Sequence, residues 1–192
     1  MDANKGKILV IILIEILLNG CFHEEDKSKS ELEGTWKIGC SQDDDNSYSK
    51  NSLSYDGNKG SVSSFNYEDA DCLLPVFKIG LTGNFKIGKK VILSSGIEVT
   101  EIDYTDLKWD LTLVKGEYVT SYNSNKTCGK ANWEKNIKTD ITNCEKFKFP
   151  TSMYDIYKVD GNNLFEGDSD FGDSRSLDSR PSQLDTDFFT KT

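Results

Sequence analysis

Leu107-Lys108-Trp109-Asp110-Leu111-Thr112-Leu113 alternates apolar and polar side chains without a break. Successive side chains of a β-strand point to opposite faces, so the pattern puts Leu107, Trp109, Leu111 and Leu113 on one face and leaves water to the other. Upstream, Phe77, Ile79 and Leu81 form a similar row. Gly83 then permits a bend, and Phe85-Lys86-Ile87 leads through Gly88-Lys89-Lys90 into Val91-Ile92-Leu93, which reads as a run of hairpins. Ile97 to Tyr104 reads as a further strand. Asp160-Gly161, between Tyr154-Asp155-Ile156-Tyr157-Lys158-Val159 and Leu164-Phe165, is a two-residue turn signal. Asp56-Gly57, between Leu53-Ser54-Tyr55 and Val62 to Tyr67, is another.

Beyond residue 20 no long apolar stripe recurs at the helical period, and the best helix candidate is one short piece, Ala131 to Lys138. The expected class is therefore all-β and antiparallel. Eight or more short strands in a chain of 192 residues predict a closed barrel or a sandwich, since closure removes unpaired strand edges. The acidic stretches, Asp43-Asp44-Asp45 and the loop from Gly167 to Ser182, are expected at the surface.

The amino-terminal segment reads differently. Lys5 and Lys7 precede an apolar run from Ile8 to Leu18, interrupted by Glu15, and the run ends in Leu18-Asn19-Gly20-Cys21. That order of charge, apolar core and Leu-Asn-Gly-Cys has the form of a bacterial lipobox, in which lipid is attached to the cysteine thiol and the chain is cut before it. A permanent bilayer span needs about 20 apolar residues, more than this run supplies. Residues 1–20 are thus expected to be a cleaved lipoprotein signal peptide and Cys21 the lipid attachment site, with an uncleaved anchor as the alternative. Either leaves the remainder outside the cytoplasm. Residues 21–30, polar apart from Phe22, read as a solvated tether, and residues 31–192 as one domain.

His23, the sole histidine, falls in that tether. Catalysis through Ser-His-Asp or Cys-His arrangements and histidine-ligated metal sites therefore lose their central residue. The chain carries neither a phosphate-binding glycine loop nor a nucleophile elbow. Asp168, Asp170 and Asp173 invite a calcium reading, but Ser179 stands where an EF-hand loop places its glutamate. The expectation is a non-enzymatic protein with no cofactor and no metal. With 32 acidic against 23 basic residues the chain also repels phosphate backbones, so nucleic acid is not expected as a partner.

Besides Cys21 there are four cysteines, Cys40, Cys72, Cys128 and Cys144, an even number suited to an oxidising compartment. Of the possible pairings, Cys40 with Cys72 and Cys128 with Cys144 each close a local loop, worth about 3–4 kcal/mol on a chain-entropy estimate. Zinc is the competing reading, and the missing Cys-x-x-Cys pair speaks against it.

Leu32-Glu33-Gly34-Thr35-Trp36, opening the first strand, resembles the Gly-x-Trp signature of lipocalin-like barrels. The ending is similar to the final hairpin and closing strand of bacterial lipocalin-like lipoproteins: Tyr157 to Leu164, then Arg180-Pro181 and Phe188-Phe189-Thr190-Lys191. The Gly34-Thr35-Trp36, Cys40 and Cys72 arrangement is also similar to barrel domains of a membrane-anchored Wnt-inhibitor family. The lipocalin resemblance implies an up-and-down barrel of about eight strands. One end would be closed by Trp36 beneath a basic side chain from near the carboxyl end, Arg180 first and Arg175 in reserve. The other end would open onto an apolar cavity, lined here by Phe77, Ile79, Leu107, Trp109 and Leu111. The segment from Glu117 to Cys144 has no place in a minimal barrel and reads as an insertion or lid.

The resulting expectation is a lipid-anchored, exported binding lipoprotein, held to the membrane through Cys21 and accepting a small apolar ligand or a surface protein partner. A structural or adhesin-like surface lipoprotein with a filled barrel is the alternative, and an enzyme of unrecognised type comes after it. Because Phe22 lacks the acidic character associated with inner-membrane retention, the family analogy implies the outer membrane.

Overall fold

The period-two rows become strands that follow one another around a closed wall. In a computed structural model, which describes residues 30–43 and 46–192, they are β1 (Gly34–Gln42), β2 (Tyr48–Asp56), β3 (Lys59–Tyr67), β4 (Pro75–Ile92) and β5 (Glu98–Leu113). The helix α1 (Gly116–Ser124) and a short strand β6 (Lys138–Asp140) come next, followed by β7 (Met153–Asp160), β8 (Asn163–Glu166) and β9 (Phe189–Lys191). The expected signal segment, Cys21 and His23 lie outside the described residues.

Each barrel strand pairs antiparallel with the next in the chain, and β9 returns to β1. The result is an all-antiparallel closed barrel of eight strands with one helix, β6 being a further strand beside one half of β5. β7 pairs with β5 over Thr100 to Tyr104, and β6 takes up the pairing from Asp110 to Thr112. Closure removes the edges of the barrel proper, while the end of β4 beyond the β3 pairing, Lys86 to Ile92, pairs only with β5.

Register follows the apolar pattern. Trp36 stands opposite Leu53, Leu53 opposite Val62, Val62 opposite Leu81, and Leu81 opposite Trp109. A slip of one residue at any of these seams would turn the whole row outward, so burial of the row specifies the pairing. The two rows read from sequence on β4 and β5 are direct partners, with Phe77 opposite Leu113 and Ile79 opposite Leu111.

Two apolar clusters result. Around Trp36 and Leu164, both fully buried, Leu32, Ile102, Phe85 and Tyr157 fill one end of the barrel. At the other end Leu111 and Leu113 pack under Trp133, Ile141 and Cys144, with Tyr118, Val119 and Tyr122 of α1 alongside. The long segment between β5 and β7 is thus a cover over that end.

Three expectations need correction. The hairpins expected between Phe77 and Leu93 are one strand, β4, and Ile97–Tyr104 joins Leu107–Leu113 in the single strand β5. Gly83 and Gly88 mark register shifts in the β4–β5 pairing, between Thr82 and Asn84 and between Ile87 and Lys90. A glycine within a strand can serve a bulge or a close approach as well as a turn. At Gly83 an added Cβ would lie 2.6 Å from Leu107 Cδ2 and 2.8 Å from the Thr105 carbonyl oxygen, so close approach decides the residue.

The helix is α1, not Ala131 to Lys138. Asn136 has φ +62° and Trp133 is tied by its N–H to Asn123 Oδ1 at 2.6 Å, so tertiary contacts override the local pattern there. The loop from Gly167 to Ser182 is only partly at the surface, since Ser174 and Pro181 are buried. Its acids serve the loop: Asp168 caps a short helical turn by accepting the Asp170 N–H, and Asp173 accepts that of Arg175.

The disulfides are Cys40–Cys72 and Cys128–Cys144, the local pairing. The first joins β1 to the loop before β4, and the second fastens the cover.

Candidate functional site

Between the two apolar clusters the wall does not collapse onto itself. A cavity of about 370 Å³ remains inside the barrel, bounded by inward residues of all its strands except β1. Leu53 and Tyr55 come from β2, Gly60 and Val62 from β3, Ile79 and Leu81 from β4, and Tyr104, Leu107 and Trp109 from β5. Met153, Asp155, Glu166 and Phe189 complete it. The volume lies near the lower limit for small-molecule sites.

Of the residues expected from sequence to line a cavity, Ile79, Leu107 and Trp109 do so. Phe77 and Leu111 do not, because the cover descends on that end and takes both into its own cluster. Trp109 belongs to both regions. Its Nε1 donates to the Pro150 carbonyl at 2.8 Å and its ring stacks on Phe149 with centroids 4.2 Å apart, which fixes the indole against the cavity.

Sequence reasoning missed the polar side of the site. The Tyr55 and Tyr104 hydroxyls lie 2.8 Å apart in the interior. Asp155 Oδ1 accepts the N–H of Ile156 at 2.7 Å and that of Gly167 at 3.2 Å. A side chain at residue 167 would put its Cβ 2.3 Å from that oxygen, so Gly167 is what allows the carboxyl to tuck against the backbone. Glu166 completes the group beside the Tyr55 hydroxyl. The available signal was parity: Asp155 shares its face with Tyr157, and Glu166 shares its face with Leu164, so both acids interrupt apolar rows.

Burial sets the protonation of this group. It raises the Glu166 carboxyl to about 8, with Asp155 and Asp185 pushing the same way and Tyr55 opposing. It raises Asp155 to about 6, against the two backbone N–H donors and the Arg180 charge. Both tyrosines are pushed well up, chiefly by burial. Near neutral pH Glu166 therefore keeps its proton, while Asp155 is mostly ionised.

The expected latch between Trp36 and Arg180 does not form. Lys191 Nζ, 4.7 Å from the ring centroid, stands over Trp36 instead, and the Trp36 Nε1 donates to the Leu32 carbonyl at 2.7 Å. Trp36 and Lys191 are opposite one another in the β1–β9 register, which brings the lysine there directly. Arg180 lies on the other side of the wall. Its Nη1 donates to the carbonyls of Ile102 and Asp155, its Nη2 pairs with Asp103 at 2.5 Å, and its guanidinium faces the Tyr154 ring. Asp103 and Tyr154 alternate with inward residues and so face outward, making Arg180 a brace across the outside of the β5–β7 seam. Arg175 is exposed in the loop.

No family model matches the chain, and no curated protein matches it at a significant level.

Proposed function

We propose that the protein is a non-catalytic binding module whose site is the barrel interior, and that its ligand is a small, mainly apolar molecule with one polar group. The observation that carries this is the cavity itself, apolar along Ile79, Leu81, Leu107 and Trp109 and polar at Tyr55, Tyr104, Asp155 and Glu166. A core selected only for stability would be filled, because voids and imperfectly paired polar groups both cost free energy. A lipocalin-like relationship fits the same features. Its support is the eight-stranded barrel and the Gly34-Thr35-Trp36 start, with the indole beneath a basic side chain of the closing strand.

The anchoring reading rests on the order of Lys5 and Lys7, the apolar run Ile8 to Leu18 and Leu18-Asn19-Gly20-Cys21, and makes the protein an exported lipoprotein, carried in the outer membrane by analogy. Several acyl chains at about 0.8 kcal/mol per buried methylene would hold it firmly. Cys21→Ser is expected to move the protein from the detergent phase to the aqueous phase on membrane partitioning. Retention in detergent would contradict lipid attachment there.

The binding reading is tested by extracting the natively purified protein and identifying what it carries by mass spectrometry. A stoichiometric small molecule in wild type, lost in the cavity-filling variant Leu81→Trp, is the expected result. Equal recovery from both proteins would place the molecule elsewhere.

A further inference from the structure

The cavity lining contains two carboxyl groups, Asp155 and Glu166, and no lysine, arginine or histidine. Among the described residues neither acid makes an ion pair with a basic side chain; the nearby guanidinium of Arg180 is engaged with Asp103 and backbone carbonyls on the outside of the wall. The strongest charges acting on Glu166 are negative, from Asp155 and from Asp185 beyond it. The two inward hydroxyls, Tyr55 and Tyr104, offer oxygens that accept hydrogen bonds, set on rings whose faces attract cations. An apolar chamber has thus been given acceptors and acidic groups at one side, with no basic side chain in its lining.

Resting on the cavity as the binding site, we propose that the ligand is a small organic cation: an amine whose ammonium group stands between Glu166 and Asp155 and whose apolar body lies against Trp109, Leu107, Ile79 and Leu81. An ammonium group supplies both missing parts, the countercharge and the N–H donors, in a desolvated site where charge-assisted hydrogen bonds are strong. A carboxylate ligand such as a fatty acid would set a second anion beside the ionised Asp155 and is rejected for that reason. A neutral molecule of the same shape gains the apolar contacts and leaves the carboxyls unbalanced. The volume limits the body to about one aromatic ring or a short branched chain.

The test compares three probes of one shape by calorimetry on the purified full protein: 2-phenylethylamine, its neutral counterpart 2-phenylethanol, and the anion 3-phenylpropanoate. The amine is expected to bind about tenfold or more tighter than the alcohol, and the anion not at all. Glu166→Gln, close to isosteric, is expected to weaken the amine roughly 100-fold and the alcohol far less. Wild type supplies a second readout, since an ammonium placed beside Glu166 displaces its proton. Amine binding at pH 7 should release protons, seen as a dependence of the heat on buffer ionisation, and alcohol binding should not. Asp155, Tyr55, Tyr104 and Asp185 also act on this carboxyl, and Arg180 acts on Asp155 from outside the wall, so the release must disappear in Glu166→Gln to be assigned to it. Alcohol or anion binding as tightly as the amine, or amine binding unchanged in Glu166→Gln with no proton release, overturns the cation assignment and leaves the cavity as a site. Absence of binding by all three overturns both.

Discussion

Glu166 is an acid placed where ionisation is costly, and stability should report it. Its carboxyl titrates near 4.5 when unfolded and at about 8 in the barrel, so between those values the folded chain holds a proton that the unfolded chain has released. That contribution is complete below pH 4.5 and is lost as pH rises through about 8. Asp155 acts in the same direction between 3.8 and about 6. The thermal midpoint of the ligand-free protein is therefore expected to fall between pH 6 and 8, and Glu166→Gln should flatten that slope. At the far end of the barrel Trp36→Ala should cost about 3–5 kcal/mol through lost packing. A double-mutant cycle should give a coupling of about 0.5–2 kcal/mol between Trp36 and Lys191 and none between Trp36 and Arg180. The lipocalin resemblance implied a basic residue near the carboxyl terminus, and Arg180, with Arg175 in reserve, was the wrong choice, because the residue is decided by the β1–β9 register. A three-residue strand such as β9 carries too little pattern to set that register in advance.

At the level of elements, the two long strands β4 and β5 show where pattern reading works and where it stops. The rows on Phe77, Ile79 and Leu81 and on Leu107 to Leu113 were legible because one face of each strand turns inward along its length, buried at Leu107, Leu111 and Leu113 and half-buried on β4. The glycines between and beside them were misread as turns, since period-two reading cannot tell a bulge from a bend. Gly83→Val tests the distinction: its Cβ would meet Leu107 and the Thr105 backbone, and overpacking of that kind costs about 1–3 kcal/mol. At a solvent-exposed turn the same change would be nearly neutral by denaturant unfolding. The helix α1 was invisible for a different reason. Only Tyr118, Val119 and Tyr122 face the cover cluster, too short a stripe to stand out over one helix of nine residues. The cover is held in addition by Cys128–Cys144, closing a loop with a sequence separation of 16, and replacing both cysteines by serine should cost about 3 kcal/mol.

The barrel as a whole has three levels: a packed end beneath Lys191 and Trp36, a chamber with a polar side, and an end closed by a cover that the chain threads between β5 and β7. Its up-and-down order was within reach of sequence because consecutive rows and tight turns admit few other connections; the two turns signalled by Asp56-Gly57 and Asp160-Gly161 form one residue later, at Gly57-Asn58 and Gly161-Asn162. Whether the interior was hollow was not, since the same rows of leucine, isoleucine and tryptophan would suit a filled core. Space is left at Gly60, an inward position without a side chain, and beside the two acids, against which apolar side chains pack poorly. The most direct test of that claim is thermal unfolding of the wild type and of Leu81→Trp across a series of small apolar probes. At 100 times its dissociation constant a probe taken into the cavity should stabilise the wild type by about 2.7 kcal/mol and leave Leu81→Trp unmoved. No stabilisation by any probe, or equal stabilisation of the two proteins, would contradict a ligand-binding interior.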